Sequence, residues 1–373
     1  MRVWSRVSGL EPGGSEQVAG ALAAEAVRAG HEVTLSLRPA AALDAWAAGM
    51  RAGGVGVERL AEAESKWDWG GMIRTRAAMA VCRPHLVHLH LVHPTADRYA
   101  PFLAPRAAAV IATEHVRHEV PERSQLWLKR AGARRLARVV AVSEAVRRSL
   151  VEHYGLAESR VTVIRNGVDL ARFAPGGDRA RARAALGLPA LGFVVGSAGR
   201  LTRQKGFDLL LAACARMEGA FVLAVAGDGE DAAALRRLAG ELGLAGRVRW
   251  LGRVERMEDF YAAIDVFALA SRWEGLPITL LEALASGVPS VATAVDGTLE
   301  VLAAGGGSAV PPESAEALGA ALDLWRHSDN LREQAAGDAA RVGRLFDWRN
   351  TWAAYAALYE EVTAWKRTVS PRW

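Results

Sequence analysis

Cysteine is almost missing from this chain: among 373 residues there are only Cys82 and Cys214, far apart and each set in apolar sequence. That argues against a disulfide framework or a thiolate-bound metal and fits a reducing compartment. Long hydrophobic runs are missing too. Gly, Arg or Pro interrupts each apolar stretch well short of the roughly 18 residues that a membrane-spanning helix needs. The opening Arg2-Val3-Trp4-Ser5-Arg6-Val7 has no basic region followed by an apolar one, so no signal peptide is expected and a cytoplasmic location follows. No Asp-x-Asp pair occurs, which leaves a divalent ion clamping a diphosphate without an obvious ligand set. Lysine is scarce as well, with Lys66, Lys129, Lys205 and Lys366 the only ones among 46 basic residues. Each lysine that remains therefore invites a question.

What is present is ordinary globular material, 51% hydrophobic and 23% charged, long enough for two domains of roughly 150–200 residues. Short apolar runs alternate with helix-length segments from end to end. Strands are predicted at Arg2–Val7, Val33–Leu37, Leu86–Leu91, Ala108–Thr113, Val139–Val142 and Val161–Ile164. In the second half they are predicted at Phe193–Ser197, Phe221–Val225, Val248–Leu251, Val266–Leu269 and Ser290–Ala292. Most are apolar at nearly every position, as parallel strands covered on both faces should be. Between them, Ala232–Leu242 and Ala315–Trp325 have apolar residues at helical spacing. Repeated βα units of this kind specify parallel α/β sheets.

A break is expected in the turn-rich stretch from Asn166-Gly167-Val168-Asp169 to Ala174-Pro175-Gly176-Gly177. It divides the chain into an N-terminal domain over 1–170, a C-terminal domain over 171–347 and a closing segment over 348–373. In that segment Trp352, Tyr355, Tyr359 and Val362 share one face of a helix suited to packing across domains.

Three loops carry candidate chemistry. Gly13-Gly14-Ser15-Glu16 follows the first strand and opens a helix, where backbone N–H groups and the helix dipole favour an anion. Alone it would pass for a flexible βα turn, and it is no Gly-x-Gly-x-x-Gly fingerprint. The second loop, Gly199-Arg200-Leu201-Thr202-Arg203-Gln204-Lys205-Gly206, again lies between strand and helix. There Arg200 offers a forked donor pair and Lys205 a compact charge to a phosphate, against the plainer reading of a solvated basic loop. The third is Glu274-Gly275-Leu276-Pro277 through Glu282, two carboxylates eight residues apart. Pro277 suits a first helical turn, so Glu274 belongs to the loop and Glu282 to the helix. A glutamate within the apolar run Ile278–Ala285 is hard to explain as a solvated face, and a polar ligand such as ribose hydroxyls accounts for it better. Glu300 needs no role beyond capping the helix that follows it.

Four histidines, His85, His88, His90 and His93, crowd one strand and its exit. Their number invites a metal reading, but no Asp, Glu or Cys joins them before Asp97, so strand-end packing and substrate contacts are the expectation. His115 follows the strand Ala108–Thr113 at the end of the sheet where parallel α/β folds place ligands; a purely structural histidine fits there equally well.

Taken in order, Gly13-Gly14-Ser15-Glu16, Val139-Val140-Ala141-Val142-Ser143, Arg165-Asn166-Gly167-Val168-Asp169, Gly199-Arg200 with Lys205-Gly206, Ala226-Gly227-Asp228-Gly229 and Glu274-Gly275-Leu276-Pro277 through Glu282 resemble the retaining glycosyltransferases of family 4, the glycosyl transferase group 1 family. The resemblance runs over nearly the whole chain. It implies the GT-B fold, two Rossmann-like parallel-sheet domains facing across a cleft, with a nucleotide-sugar donor held mainly by the C-terminal one. Carried over, it gives Arg200 and Lys205 the donor diphosphate, Glu282 the ribose, and Glu274 with Gly275 and Leu276 the donor sugar. It closes the Gly13 and Gly14 backbone over the phosphates and places His115 beside the transferred sugar. A UDP-sugar is the family's commonest donor, and neither a cofactor nor a metal is implied. One departure is Asp296-Gly297, where the family commonly has Gly-Gly.

The acceptor is less legible than the donor. The net charge of +5 is matched by one stretch, Arg117–Arg138, with seven basic residues against two glutamates, 7 − 2 = +5. Leu126, Trp127, Leu128 and Leu136 interleave with its basics, which suits either an anionic membrane surface or a helix packed into its own domain. The first option predicts peripheral attachment to the inner face of the membrane and a lipid-linked or cell-envelope acceptor hydroxyl. A soluble acceptor, such as a small metabolite or antibiotic aglycone, and a nucleotide-sugar 2-epimerase built on the same scaffold are the competing functions. Nucleic acid is not expected as a partner, for there is no recognisable helix-turn-helix and no aromatic–basic stripe on a single-strand-binding fold.

Overall fold

The computed structural model describes residues 1–63, 65, 67–92, 96–117 and 123–369, with the side chains of 123–125, 367 and 369 left aside. The chain forms two compact units, one from Met1–Arg165 together with the residues from Thr351 onward, the other from Asn166–Asn350. Each is a parallel sheet with helices between its strands.

The first unit contains β1 (Arg2–Val7), β2 (Glu32–Leu37), β3 (Gly56–Arg59), β4 (Leu86–Leu91), β5 (Ala109–Glu114), β6 (Arg138–Ala141) and β7 (Val161–Val163), in the order β3-β2-β1-β4-β5-β6-β7. The second contains β8 (Val194–Ala198), β9 (Val222–Ala226), β10 (Val248–Gly252), β11 (Val266–Leu269), β12 (Ser290–Thr293) and β13 (Gly307–Val310), in the order β10-β9-β8-β11-β12-β13. The predicted parallel α/β architecture is thus the observed one. Strand ends differ from the sequence reading by a residue or so, and two strands were not foreseen. Both, β3 and β13, are edge strands, and an edge need not be apolar on both faces, so Gly56-Val57-Glu58-Arg59 gives no continuous hydrophobic signal.

In both sheets the order reverses once, between β1 and β4 in the first and between β8 and β11 in the second. Loops leaving the two central strands diverge there and open a crevice at the carboxyl end, the usual ligand position in such sheets. Central strands are apolar because helices cover both faces. In the second unit Val195, Leu223, Val225, Val266, Ala268 and Val291 meet Leu210 and Leu322 from the helices Phe207–Cys214 and Ala315–His327 in one core. The last helix, Trp348–Val369, leaves the second unit at Thr351 and buries Tyr355, Tyr359 and Val362 within the first.

Candidate functional site

In the second unit the loop after β8 and the loop after β11 are the two lips of the crevice. Gly199, Arg200 and Lys205 lie on the first, Ser271 and Glu274 on the second. The lips are tied by backbone. Arg272 N–H donates to the Gln204 carbonyl at 2.8 Å, and Gln204 Nε2 donates to the Trp273 carbonyl at 3.1 Å. Gly206, which opens the helix Phe207–Cys214, has φ +62°, and a Cβ there would stand 2.0 Å from the Ala270 carbonyl oxygen. Only glycine fits that place.

Lys205 and Glu274 meet across this point. Lys205 Nζ donates to Glu274 Oε1 at 2.6 Å, and Ser271 Oγ donates to the same oxygen at 2.6 Å. Glu274 is buried, and the lysine side chain is 17% exposed. Two residues that sequence reasoning gave to different parts of a ligand therefore hold each other. A cation and a carboxylate poised in one crevice can part to serve an anionic group and a hydroxyl. Arg200 is exposed on the same loop. Arg272 is already committed, with a forked pair of bonds to Asp208 at 2.9 and 2.8 Å that pushes its guanidinium pKa up and that of the Asp208 carboxyl down.

Glu282 lies on the helix Ile278–Ala285, as expected, and burial raises its carboxyl to about 7, only partly offset by the Tyr261 hydroxyl. Tyr261 Oη lies 2.8 Å from Glu282 Oε2 and 3.1 Å from the Thr279 carbonyl. One hydroxyl proton serves one acceptor well. With Glu282 ionised it turns to the carboxylate; with Glu282 protonated the acid donates to Tyr261, which then donates to Thr279. The buried Asn166 donates from Nδ2 to the Leu276 carbonyl at 2.9 Å and fixes the Glu274-Gly275-Leu276 loop. A Cβ on Gly297 would stand 1.9 Å from the Gly275 carbonyl oxygen, so the second glycine of the departing Asp296-Gly297 pair is the one that packing requires. Asp296 itself takes φ +36°, in the left-handed region that glycine occupies more easily.

In the first unit the Gly13-Gly14 pair opens the helix Gly14–Arg28 as predicted. Sequence reasoning offered its N–H groups to a phosphate. That of Gly13 instead goes to Glu16 Oε2 at 3.0 Å, which also accepts from Ser15 Oγ at 2.8 Å. The chain's own carboxylate thus takes up much of the favourable field at that helix end.

The candidate histidines of the first unit cluster on β4 and just beyond β5. His90 pairs in register with Val7 of β1 and Thr113 of β5. His88 is a structural link: Nδ1 lies 2.8 Å from Tyr359 Oη, Nε2 lies 2.8 Å from Thr113 Oγ1, and Thr113 reaches Tyr355 Oη at 3.0 Å. His115 lies just beyond β5, its N–H donating to the Leu91 carbonyl at 3.0 Å and its Nε2 3.0 Å from His90 Nδ1. Burial pulls the pKa of His88 and of His115 down to about 3 and that of His90 well below its usual value, so all three are neutral imidazoles near pH 7. Asp97, the nearest carboxylate downstream, is held by Arg6 Nε at 3.1 Å. His93 falls outside the described residues. Among the described residues no group of three or more His, Cys, Asp or Glu is arranged to hold a metal ion.

The basic stretch Arg117–Arg138 is partly a structural feature, and residues 118–122 fall outside the described ones. Lys129 turns inward, with Nζ 2.8 Å from Glu114 Oε1 and 4.5 Å from the centre of the Tyr154 ring. Arg130 donates to the Tyr154 carbonyl at 2.7 Å, Arg138 pairs with Glu361, and Leu136 is in the core. Trp127, Arg134 and Arg135 are exposed. Among the described residues no helix is long and apolar enough to cross a membrane.

Sequence alone points to neither Tyr261 nor Ser271: the first resembles any core aromatic, the second any loop residue. Comparisons with known proteins add the wider context. The model of the Glycosyltransferase Family 4 domain matches residues 12–172, and that of the Glycosyl transferases group 1 domain matches residues 178–342. The lipopolysaccharide core biosynthesis mannosyltransferase LpsB of Rhizobium meliloti is 34% identical over 213 residues, 54% of this chain and 61% of that protein. A D-inositol 3-phosphate glycosyltransferase of Mycolicibacterium smegmatis is 31% identical over 293 residues, 74% of this chain and 65% of that one. The chain thus spans under two thirds of the length of these curated relatives. Anabaena Alr3699/HepE, solved with UDP-glucose, superposes with a TM-score of 0.82 at 21% identity, covering 97% of this chain and 100% of its own. That likeness establishes the fold.

Proposed function

Because this chain belongs to the glycosyl transferase group 1 family, we propose that it transfers a sugar from a nucleotide-diphosphate sugar to an acceptor hydroxyl, with retention of configuration and without a metal. The observation that carries the reading is the meeting of Lys205 and Glu274 at 2.6 Å at the switch point of the second sheet. Arg200 and Lys205 bind the diphosphate. As the sugar–phosphate bond breaks, negative charge grows on the leaving oxygen, and two fixed cations stabilise it where it forms. Glu274, released from Lys205 by the phosphate, accepts from the sugar's hydroxyls, while Gly275 and Leu276 present backbone beside it. Glu282 accepts from the ribose hydroxyls.

The acceptor hydroxyl attacks on the face from which the diphosphate departs, and the departing phosphate oxygen takes its proton. No protein base is needed, and the neutral His115 serves the sugar as a hydrogen-bonding group. A uridine nucleotide is the base we assign, supported by the family and by the UDP-glucose bound to Alr3699/HepE. The acceptor we assign is lipid-linked or part of the cell envelope, reached by reversible attachment to an anionic membrane face through Trp127, Arg134 and Arg135.

The test is thermal stabilisation by UDP-, GDP- and ADP-sugars, followed by turnover with and without EDTA and assignment of the product anomer by NMR. A UDP-sugar at 100 times its dissociation constant should add about 2.7 kcal/mol to the folded state. No response to any of the three, loss of turnover in EDTA, an inverted anomer, or an epimerised donor in the absence of acceptor would overturn it.

A further inference from the structure

The hydrogen bond between His90 and His115 has chemical content because both rings are neutral and buried, with His90 fully enclosed and His115 7% exposed. Their planes are 24° apart with centroids separated by 5.3 Å, and Nδ1 of His90 lies 3.0 Å from Nε2 of His115. A neutral imidazole has one N–H and one lone pair. Whichever ring donates in this bond thereby fixes which nitrogen of the other is protonated. If His90 donates from Nδ1, His115 must keep its proton on Nδ1. If His115 donates from Nε2, its Nδ1 becomes an acceptor.

His90 Nε2 decides between these two. It is buried and, among the described residues, has no hydrogen-bond partner. A buried N–H without an acceptor is rarer in proteins than a buried lone pair without a donor. The arrangement that leaves the lone pair at Nε2 puts the proton of His90 on Nδ1, facing His115. His90 has little freedom to turn away. The His88 ring lies against it at a centroid distance of 4.0 Å, and both nitrogens of His88 are occupied by Tyr359 and Thr113, with Tyr355 behind Thr113. Among the described residues the titratable group against this pair is His88, backed in turn by Tyr355 and Tyr359, and none of the three is charged near pH 7.

We propose that His90 is a positioning residue that holds His115 as the Nδ1–H tautomer, so that His115 presents a hydrogen-bond donor, and not an acceptor, to an oxygen of the transferred sugar. The inference rests on the reading of His115 as a sugar contact. It deepens that reading by specifying the polarity of the contact and the residue that sets it.

Two measurements test it separately. Long-range ¹H–¹⁵N correlation spectra of the full chain labelled at histidine should give His115 as the Nδ1–H tautomer, and in His90→Phe a mixture of tautomers or the Nε2–H form. Kinetics should give His90→Phe a kcat lower by about 10- to 100-fold with donor KM nearly unchanged. His90→Asn, whose amide can donate from near the Nδ1 position, should recover most of that loss. Should His90→Phe fail to fold, the spectrum of the unaltered protein and the asparagine variant still decide. An Nε2–H tautomer of His115 in the unaltered protein overturns the inference, as does equal loss of turnover in the asparagine and phenylalanine variants. Unchanged turnover in His115→Ala would instead remove the underlying sugar contact, whatever the tautomer.

Discussion

Replacing Lys205 by Met and Glu274 by Gln, singly and together, separates what the pair does for the fold from what it does for the reaction. The ion pair is short, and one end is well buried: Lys205 Nζ to Glu274 Oε1 is 2.6 Å, with side-chain exposures of 17% and 6%. Removing one member of a buried pair typically costs about 3–5 kcal/mol, because the other is left as an uncompensated charge. Here the effect should lie near or below the low end, since the lysine is not fully enclosed.

The two single variants should not be equal. Lys205→Met leaves Glu274 charged and buried, steadied by Ser271 Oγ at 2.6 Å. It should destabilise the second unit by about 3 kcal/mol. Glu274→Gln leaves a lysine that reaches water and an amide oxygen that can still accept from Ser271, so about 1–2 kcal/mol is expected. The double variant should be less destabilised than the sum by about 2 kcal/mol. Denaturant unfolding of the four proteins gives this coupling. Turnover should behave otherwise. Losing Lys205 should raise the barrier by about 2–4 kcal/mol at saturating donor, and the double variant should recover stability but not rate. Additive destabilisation would show that the pair is not coupled, and Lys205→Met with unchanged turnover would refute the assignment of the lysine to the leaving group.

Three further outcomes follow from the geometry. Burial raises Glu282 to about 7 from 4.5, so its contribution to stability declines as pH rises from about 4.5 to 7. Ribose hydroxyls favour the ionised form, so donor binding near pH 6 should release up to one proton, seen by calorimetry in buffers of different ionisation enthalpy; no release at pH 6 would contradict the ribose contact. Gly297→Ala would drive a methyl to 1.9 Å from the Gly275 carbonyl, costing about 1–3 kcal/mol and raising donor KM, and an unchanged melting temperature would show that this close approach is absent. Lys129→Met breaks the buried contact with Glu114 and should destabilise the first unit by about 3 kcal/mol without altering binding to anionic vesicles at low salt, whereas Arg134→Gln with Arg135→Gln should weaken that binding; a lysine variant that loses the vesicles would place Lys129 on the outer surface.

The strands that sequence made legible are those buried on both faces, where nearly every residue must be apolar. Leu86–Leu91 and Val266–Leu269 were read with their observed bounds, while β3 and β13 escaped because edge strands are free of that demand. Glu282 was legible for the complementary reason: a carboxylate among buried leucines stands out against its surroundings. Its neighbour Tyr261 did not, since an aromatic residue in a helix reads as core, and only the fold shows its hydroxyl 2.8 Å from the carboxylate. Asn166 was read as part of a turn at the domain break, yet its side chain holds the carbonyl of a residue 110 positions away. Charge counting misled at Lys129 because a sum over a segment has no direction, and this lysine points into the sheet at Glu114.

Both units repeat one topology, so topology alone cannot assign their parts in a reaction; the chemistry at each reversal of strand order can. In the second unit the crevice holds Lys205 against a carboxylate that a ligand can displace, with Arg200 exposed on the same loop. A phosphate entering there would exchange one anion for another, the lysine's desolvation having already been met by Glu274. In the first unit the corresponding helix end is occupied by Glu16, which an anion would have to approach against like charge, and the adjoining strand contributes imidazoles that burial keeps neutral. Such a crevice repels phosphate and suits an uncharged polyol.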